Sequence, residues 1–150
     1  MNPAIAPQLH LLLHLGCALV VGGIIGLERE RQRHAAGLRT HILVSLGAAL
    51  FVLIPIQAGL PLQDWGQLSR VIQGVITGVG FIGGGVILHQ PRRADQHLVA
   101  QGVTTAASIW LAAAVGIAAG MGLWLLAIVG AGLGWVVLSQ FKALERWIHR

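Results

Sequence analysis

Apolar positions along the chain fall in long charge-free runs, not at the three-to-four or two-residue spacing of a half-buried surface. The runs cover residues 9–27, 42–60 and 71–88, and a 36-residue stretch follows from 103 to 138. A hydrocarbon layer of about 30 Å takes roughly 20 helical residues at about 1.5 Å each, so each of the first three runs makes one span. The fourth would be about 54 Å long as a single helix, too long for one crossing. Gly120-Met121-Gly122 lies near its middle and supplies a turn. The pattern therefore predicts an all-α, polytopic membrane domain over 1–150, with five spans at about 9–27, 42–60, 71–88, 103–120 and 121–138. Beyond them, Phe141, Leu144, Trp147 and Ile148 share one helical face with charges opposite, which predicts a short C-terminal helix lying along the interface.

Composition strengthens this reading. Residues AVILMFWYC make up 55% of the chain and charged residues 10%, where soluble domains carry roughly 25% charged. Mean hydropathy is +0.76. A water-soluble enzyme is excluded. The net charge of +5 raises the question of nucleic acid. However, the basic residues sit in short segments between apolar runs, where anionic lipid headgroups attract them, so no nucleic-acid partner is expected. With the N-terminus outside, segments 28–41, 89–102 and 139–150 are cytoplasmic and hold nine of the ten basic residues, leaving only Arg70 outside. Because Lys and Arg concentrate on the cytoplasmic side, the predicted orientation is N-out, C-in. Residues 1–8 carry no charged side chain and ERERQRH follows the first run, the reverse of a cleavable signal, so that span is expected to be retained. Cys17 is the only cysteine, which leaves no internal disulfide. Trp65, Trp124, Trp135 and Trp147 fall near span ends as interfacial anchors, whereas Trp110 sits near mid-depth and is expected to pack between helices.

Residues 78–83 match G-x-G-x-x-G, but within a span the motif lacks the strand-to-helix turn that presents N–H groups to a pyrophosphate. No phosphate-binding loop with Lys is present, and no cofactor is expected. Small residues four apart recur at Gly22/Gly26, Gly74/Gly78, Gly80/Gly84, Gly116/Gly120 and Gly130/Gly134. In lipid, close backbone approach holds helices together, so these read as packing faces within a protomer or between protomers. Span three adds Gln73 and Thr77 at helical spacing with Gly80 and Gly84, and Arg70 one turn earlier. Such groups at membrane depth either bond a neighbouring helix or line a polar path. His10 and His14 are i, i+4, the spacing of a helical metal pair, but no third ligand is near in sequence and a metal is left open. The richest polar constellation is Gly26-Leu27-Glu28-Arg29-Glu30-Arg31 followed by Gly37-Leu38-Arg39-Thr40-His41, with Thr104-Thr105 at the start of span four. Glu28 at the exit of span one can pair with Arg39 or hold a hydrated cation beside the positive N-terminal end of span two. It is either a structural clamp or a functional site. Gly22-Gly23-Ile24-Ile25 is echoed by Gly84-Gly85-Val86-Ile87, which suggests that spans one–two and three–four form a degenerate repeat.

At these residues the chain resembles the MgtC/SapB family of bacterial inner-membrane proteins. GLERERQRHAAGLRTHILVSLGAALF (26–51), SRVIQGVITGVGFIGGGVIL (69–88) and GVTTAASIWLAAAVGIAAG (102–120) carry the likeness. The resemblance implies a five-span inner-membrane domain linked to growth under magnesium limitation and, in pathogens, to survival inside host cells. It places the family's polar signature on Glu28, Arg29, Glu30, Arg39, Thr40, His41, Arg70, Thr104, Thr105 and Trp110. Many members have Asp where this chain has Gln67, with Asp64 three residues upstream. Some also carry a soluble C-terminal domain, which is not expected here. The sequence thus leads to a non-enzymatic membrane protein of magnesium homeostasis, low-magnesium adaptation or virulence-related stress, regulatory and acting through the Glu28/Arg39 face. Its expected partners are anionic lipids, a second copy of itself and other membrane proteins. The alternative is a small oligomeric ion transporter or channel with a polar path along span three.

Overall fold

The computed structural model describes residues 5–59, 65–88 and 96–148, with side chains over 8–59, 65–88 and 102–140. Five helices follow in order: α1 (Ile5–Arg31), α2 (Leu38–Gln57), α3 (Trp65–Leu88), α4 (Gln96–Gly120) and α5 (Trp124–Ile148). The described residues contain no strand. Four helical stretches, Gln8–Arg31, Leu38–Gln57, Trp65–Leu88 and Gly102–Gly120, are long and apolar enough to cross a membrane. The apolar part of α5, Trp124–Gln140, has 17 residues, about the shortest length that spans hydrocarbon. The chain is a polytopic helical membrane protein.

α1, α2 and α4 end where the chain supplies a left-handed residue, at Arg33, Gly59 and Gly122. After α4, Gly122 takes φ +76°, and the N–H groups of Gly122 and Leu123 return to the carbonyls of Ala119 and Ala118 at 3.0 and 2.9 Å. This paired turn satisfies carbonyls that the helix end leaves open. Arg33 does the same after α1 without the freedom of glycine. It sits at φ 54°, and the N–H groups of Arg33 and His34 bond Glu30 and Arg29 carbonyls at 3.0 and 3.1 Å. No such stop follows Leu138, so α5 runs on to Ile148 and the C-terminal amphipathic segment is its continuation, not a separate short helix.

α4 is the central helix and packs against all four others. Within its most apolar stretch 61% of residues are buried, against 17% in α3. Small residues make this possible. A Cβ placed on Gly116 would strike the Ser45 backbone, and one on Gly120 would come within 2.8 Å of the Ala49 carbonyl. On α1, Cβ atoms at Gly22 and Gly26 would lie 2.7 Å from Ser45 Cβ and 2.9 Å from Leu38 Cα. The α2 backbone therefore touches both α1 and α4, the close approach that drives association in lipid. By contrast, Cβ atoms on Gly74, Gly78, Gly80 and Gly84 would meet nothing within 4 Å among the described residues, so these glycines are not sites of close backbone approach there. The echo between the two hairpins does not extend to packing: Gly22 is wedged, Gly84 is open, and it is at Gly83 that a Cβ would lie 3.3 Å from Ala106 Cβ.

Two apolar clusters result. One joins α1, α2, α4 and α5 around Ala18, Val21, Ile25, Ala49, Ala112 and Ala119. The other joins α2, α3 and α4 around Val52, Val79, Ile109 and Ala113. α3 leans on α4 and touches α2 only sparsely. That leaves an apolar groove of about 680 Å³ lined by Leu43, Gly47, Phe51, Gly74, Gly78 and Ile82, among others.

Candidate functional site

Where α1, α2 and α4 converge beside the α1–α2 loop, the packing turns polar. Glu28, Arg29, His41, Ser45, Thr105 and Ser108 are all buried. Arg29 is 2% exposed, and its Nη2 donates to Thr105 Oγ1 at 2.8 Å across 76 positions of sequence. Its Nε is buried without a partner. His41 is wholly enclosed. One ring nitrogen, Nδ1, lies 2.8 Å from the Gly37 carbonyl, and the other, Nε2, 2.9 Å from Ser108 Oγ. Ser108 Oγ also lies 2.8 Å from the Thr105 carbonyl.

Proton counting constrains this chain. A carbonyl only accepts, so His41 Nδ1 carries the hydrogen facing Gly37. Ser108 has one hydroxyl proton for two acceptors, the Thr105 carbonyl and His41 Nε2. Giving it to the carbonyl would require a second proton on His41, a cation enclosed beside Arg29. In the neutral arrangement Ser108 donates to His41 Nε2, and the Thr105 carbonyl takes at most a bifurcated share of that proton. Ser45 adds a third helix-to-helix bond, its hydroxyl donating to the Ala18 carbonyl at 2.7 Å.

The carboxylates take separate roles. Glu28 accepts from the Gln32 amide one turn on, and the same nitrogen reaches the Leu138 carbonyl of α5 at 3.4 Å. Gln32 Oε1 meets His34 Nε2 at 3.1 Å. Glu30 crosses the loop and accepts from the Leu38 N–H at 3.0 Å, capping the N-terminus of α2, where unpaired donors and the helix dipole favour an anion.

The sequence-derived set thus divides. Glu28, Arg29, Glu30, His41 and Thr105 gather at one end of the bundle, with Thr40 half-buried beside them. Arg39 points outward and is exposed, and among the described residues Glu28 forms no ion pair with it; Arg29 occupies the interior instead. Thr104, one residue from Thr105, is turned out on the α4 surface. Trp110 is 51% exposed and does not pack between helices. It shares the outer side of α4 with Val103, Ala107 and Ala114, while the inner sides are taken by Thr105, Ser108, Ile109 and Ala112. Arg70, Gln73 and Thr77 are exposed on α3. Ser45, Ser108, Gln32 and His34 join the network without having been singled out from sequence. The signal was present in His41-x3-Ser45 and Thr105-x2-Ser108, polar pairs on one helical face of apolar spans. Among the described residues no three His, Cys, Asp or Glu side chains gather as metal ligands. His14, in the half of α1 away from the cluster, packs against Trp124 with ring centroids 4.8 Å apart and planes tilted by 55°. His89 and Asp95, and the side chains of His97 and Trp147, lie outside the described residues.

Fold and cluster together define a small multi-pass membrane protein whose helices are tied at one end by a buried cationic network. The sequence profile of the MgtC family matches residues 15–147, and the chain belongs to that family. It is 43% identical to Protein SrpB of Synechococcus elongatus, over the whole of this chain and 87% of that protein. Identity is 40% to the putative magnesium transporter YhiD of Escherichia coli, over 89% of this chain and 61% of YhiD. It is 38% to Protein MgtC of Brucella abortus, over 73% of this chain and 42% of that protein. Apart from SrpB, the chain therefore spans about half the length of these relatives. No solved structure matches it significantly.

Proposed function

We propose that this protein is a non-enzymatic, multi-pass protein of the bacterial inner membrane that serves magnesium homeostasis and adaptation to low magnesium or virulence-related stress. Its role is regulatory and is exerted through the cluster around Arg29. The observation that carries this reading is the closure of the cluster. Below it the bundle is filled by Ala18, Val21, Ala49, Ala112 and Ala119, so among the described residues no polar route leads from it across the protomer. Mg²⁺ holds its waters tightly and asks for octahedral oxygen ligands. The only acidic side chains in the candidate spans are Glu28 and Glu30 at the end of α1, and both are engaged, by Gln32 and by the Leu38 N–H. Ser108 and His41 resemble a nucleophile and base, yet both are buried, which denies a substrate access. Arg31, Arg33 and Arg39 stand exposed around this end, placed to meet anionic headgroups on the cytoplasmic face.

The experiment is growth under limiting magnesium of a strain relying on Arg29→Met or Glu28→Gln, at protein levels matched to the parent. Loss of growth supports a working cluster. Full growth with both variants would reduce it to a structural clamp. A second reading, an oligomeric transporter with a path along α3, draws on the outward Gln73 and Thr77 and on the name given to YhiD. Magnesium flux into liposomes that disappears with Gln73→Leu and Thr77→Val would favour it.

A further inference from the structure

The groove between α2 and α3 is left open by the described residues. Cβ atoms on Gly47, Gly74 and Gly78, which help to line it, would meet nothing within 4 Å there. Every described residue of the lining is apolar or glycine. A water inside would find no hydrogen-bond partner, so the groove stays dry and hydrocarbon fills it. Length separates a lipid chain from a helix. The lining runs from Leu43 to Phe51 on α2 and from Val71 to Ile82 on α3, about 12 and 17 Å at about 1.5 Å per residue. A helix lying alongside takes a seam of about 30 Å, whereas an acyl chain occupies about half that depth.

The mouth of the groove differs chemically from its interior. Thr40, Val44, Gly47 and Phe51 stand at i, i+4, i+7 and i+11, a single stripe of α2. Val44, Gly47 and Phe51 line the groove, and half-buried Thr40 sits one turn before them. Arg39 is likewise one turn before Leu43 and is exposed. Among the described residues no carboxylate pairs with it: Glu28 is taken by Gln32, and Glu30 by the Leu38 N–H. In the orientation predicted from the arginines, this mouth lies at the cytoplasmic leaflet.

We propose that an anionic phospholipid of the cytoplasmic leaflet binds here, with one acyl chain in the groove and its phosphate at Arg39. The Thr40 hydroxyl donates to the phosphate or to the ester oxygens beside it. From Arg39 to Phe51 is about 18 Å along α2, against about 15 Å for the hydrocarbon of one leaflet. Headgroup and chain therefore match a single lipid. Hydrocarbon gains little by leaving the bilayer for the groove, because lipid tails are as apolar as leucine. Selection rests on the headgroup, where cation meets anion, and the groove fixes where the bound lipid stays. The site depends on the membrane placement of α2 and not on whether the protein regulates or transports.

The test places the full chain in phosphatidylcholine nanodiscs with a small fraction of phosphatidylglycerol that carries a photoreactive group midway along one acyl chain. Label is expected chiefly on the groove residues of α2 and α3, and only weakly on the exposed Leu125 and Leu133 of α5. Gly78→Leu, which puts a side chain into the groove, should abolish the groove label and leave that on α5 unchanged. Gly47→Leu, from the α2 side, should do the same. Arg39→Gln should lower the groove label about fivefold, the effect of one basic residue near an anionic headgroup. Arg33→Gln should leave it unchanged, and the same label carried by phosphatidylcholine should not respond to Arg39. Label spread evenly over the outward helices, label that survives both leucine variants, or equal losses with Arg33→Gln and Arg39→Gln would each overturn the proposal. Absence of label from the groove, as when a helix of another protein fills it, would overturn it as well.

Discussion

At Arg29 a permanently charged guanidinium is enclosed by protein, and among the described residues its one hydrogen-bond partner is the Thr105 hydroxyl. Removing that hydroxyl leaves a buried donor unsatisfied, which costs about 1–3 kcal/mol. Thr105→Val should therefore lower stability by about that amount in detergent thermal melts, while Thr105→Ser, which keeps the oxygen, should stay within about 0.5 kcal/mol of the parent. Arg33 offers the opposite sign. Its left-handed backbone costs roughly 1 kcal/mol in a residue with a Cβ, so Arg33→Gly should raise the melting temperature. A lower melting temperature would show that the side chain contributes more than the backbone loses. The sequence drew attention to Glu28, Arg29 and His41 because charges beside an apolar run are conspicuous. It could not indicate that Arg29, and not Arg39, is the residue turned inward, because the choice is made by Thr105 on a helix 76 positions away.

Among the helices, the same residue type carries opposite consequences. Gly116→Ala pushes a methyl group into the Ser45 backbone and should destabilise by well over about 1–3 kcal/mol, since backbone cannot repack as side chains do. Gly78→Ala opens into free space and should be neutral or stabilising by up to about 1 kcal/mol, the helix-propensity gain. Comparing unfolding of the two variants in one detergent checks both. Sequence spacing alone ranked these glycines equally, because a four-residue repeat marks a face but not what lies against it. The spans themselves were legible, since charge-free length is a one-dimensional property. The turn at Met121–Gly122 was legible as well, because Gly120 and Gly122 flank a residue near the middle of the 36-residue run, where a break leaves two spans of equal length. The continuation of α5 past Leu138 was less so: an amphipathic tail reads the same whether it bends away or extends the helix.

For the molecule as a whole, the distribution of arginines sets a testable orientation. Arg31, Arg33 and Arg39 crowd the end of the bundle that holds the polar cluster. In intact cells lacking Cys17, a cysteine at position 33 should resist a membrane-impermeant maleimide, and one at position 123 should react. The reverse pattern would place the cluster outside and remove the regulatory reading. The architecture has one well-covered helix, α4, one thinly covered helix, α3, and one polar knot where α1, α2 and α4 meet. Function is assigned to the knot because burying charge without benefit is costly in both water and lipid. The most direct measurement is growth under magnesium limitation of strains carrying Thr105→Val or Thr105→Ser at equal protein abundance. The account predicts failure with valine and rescue with serine. Parental growth with valine would contradict it.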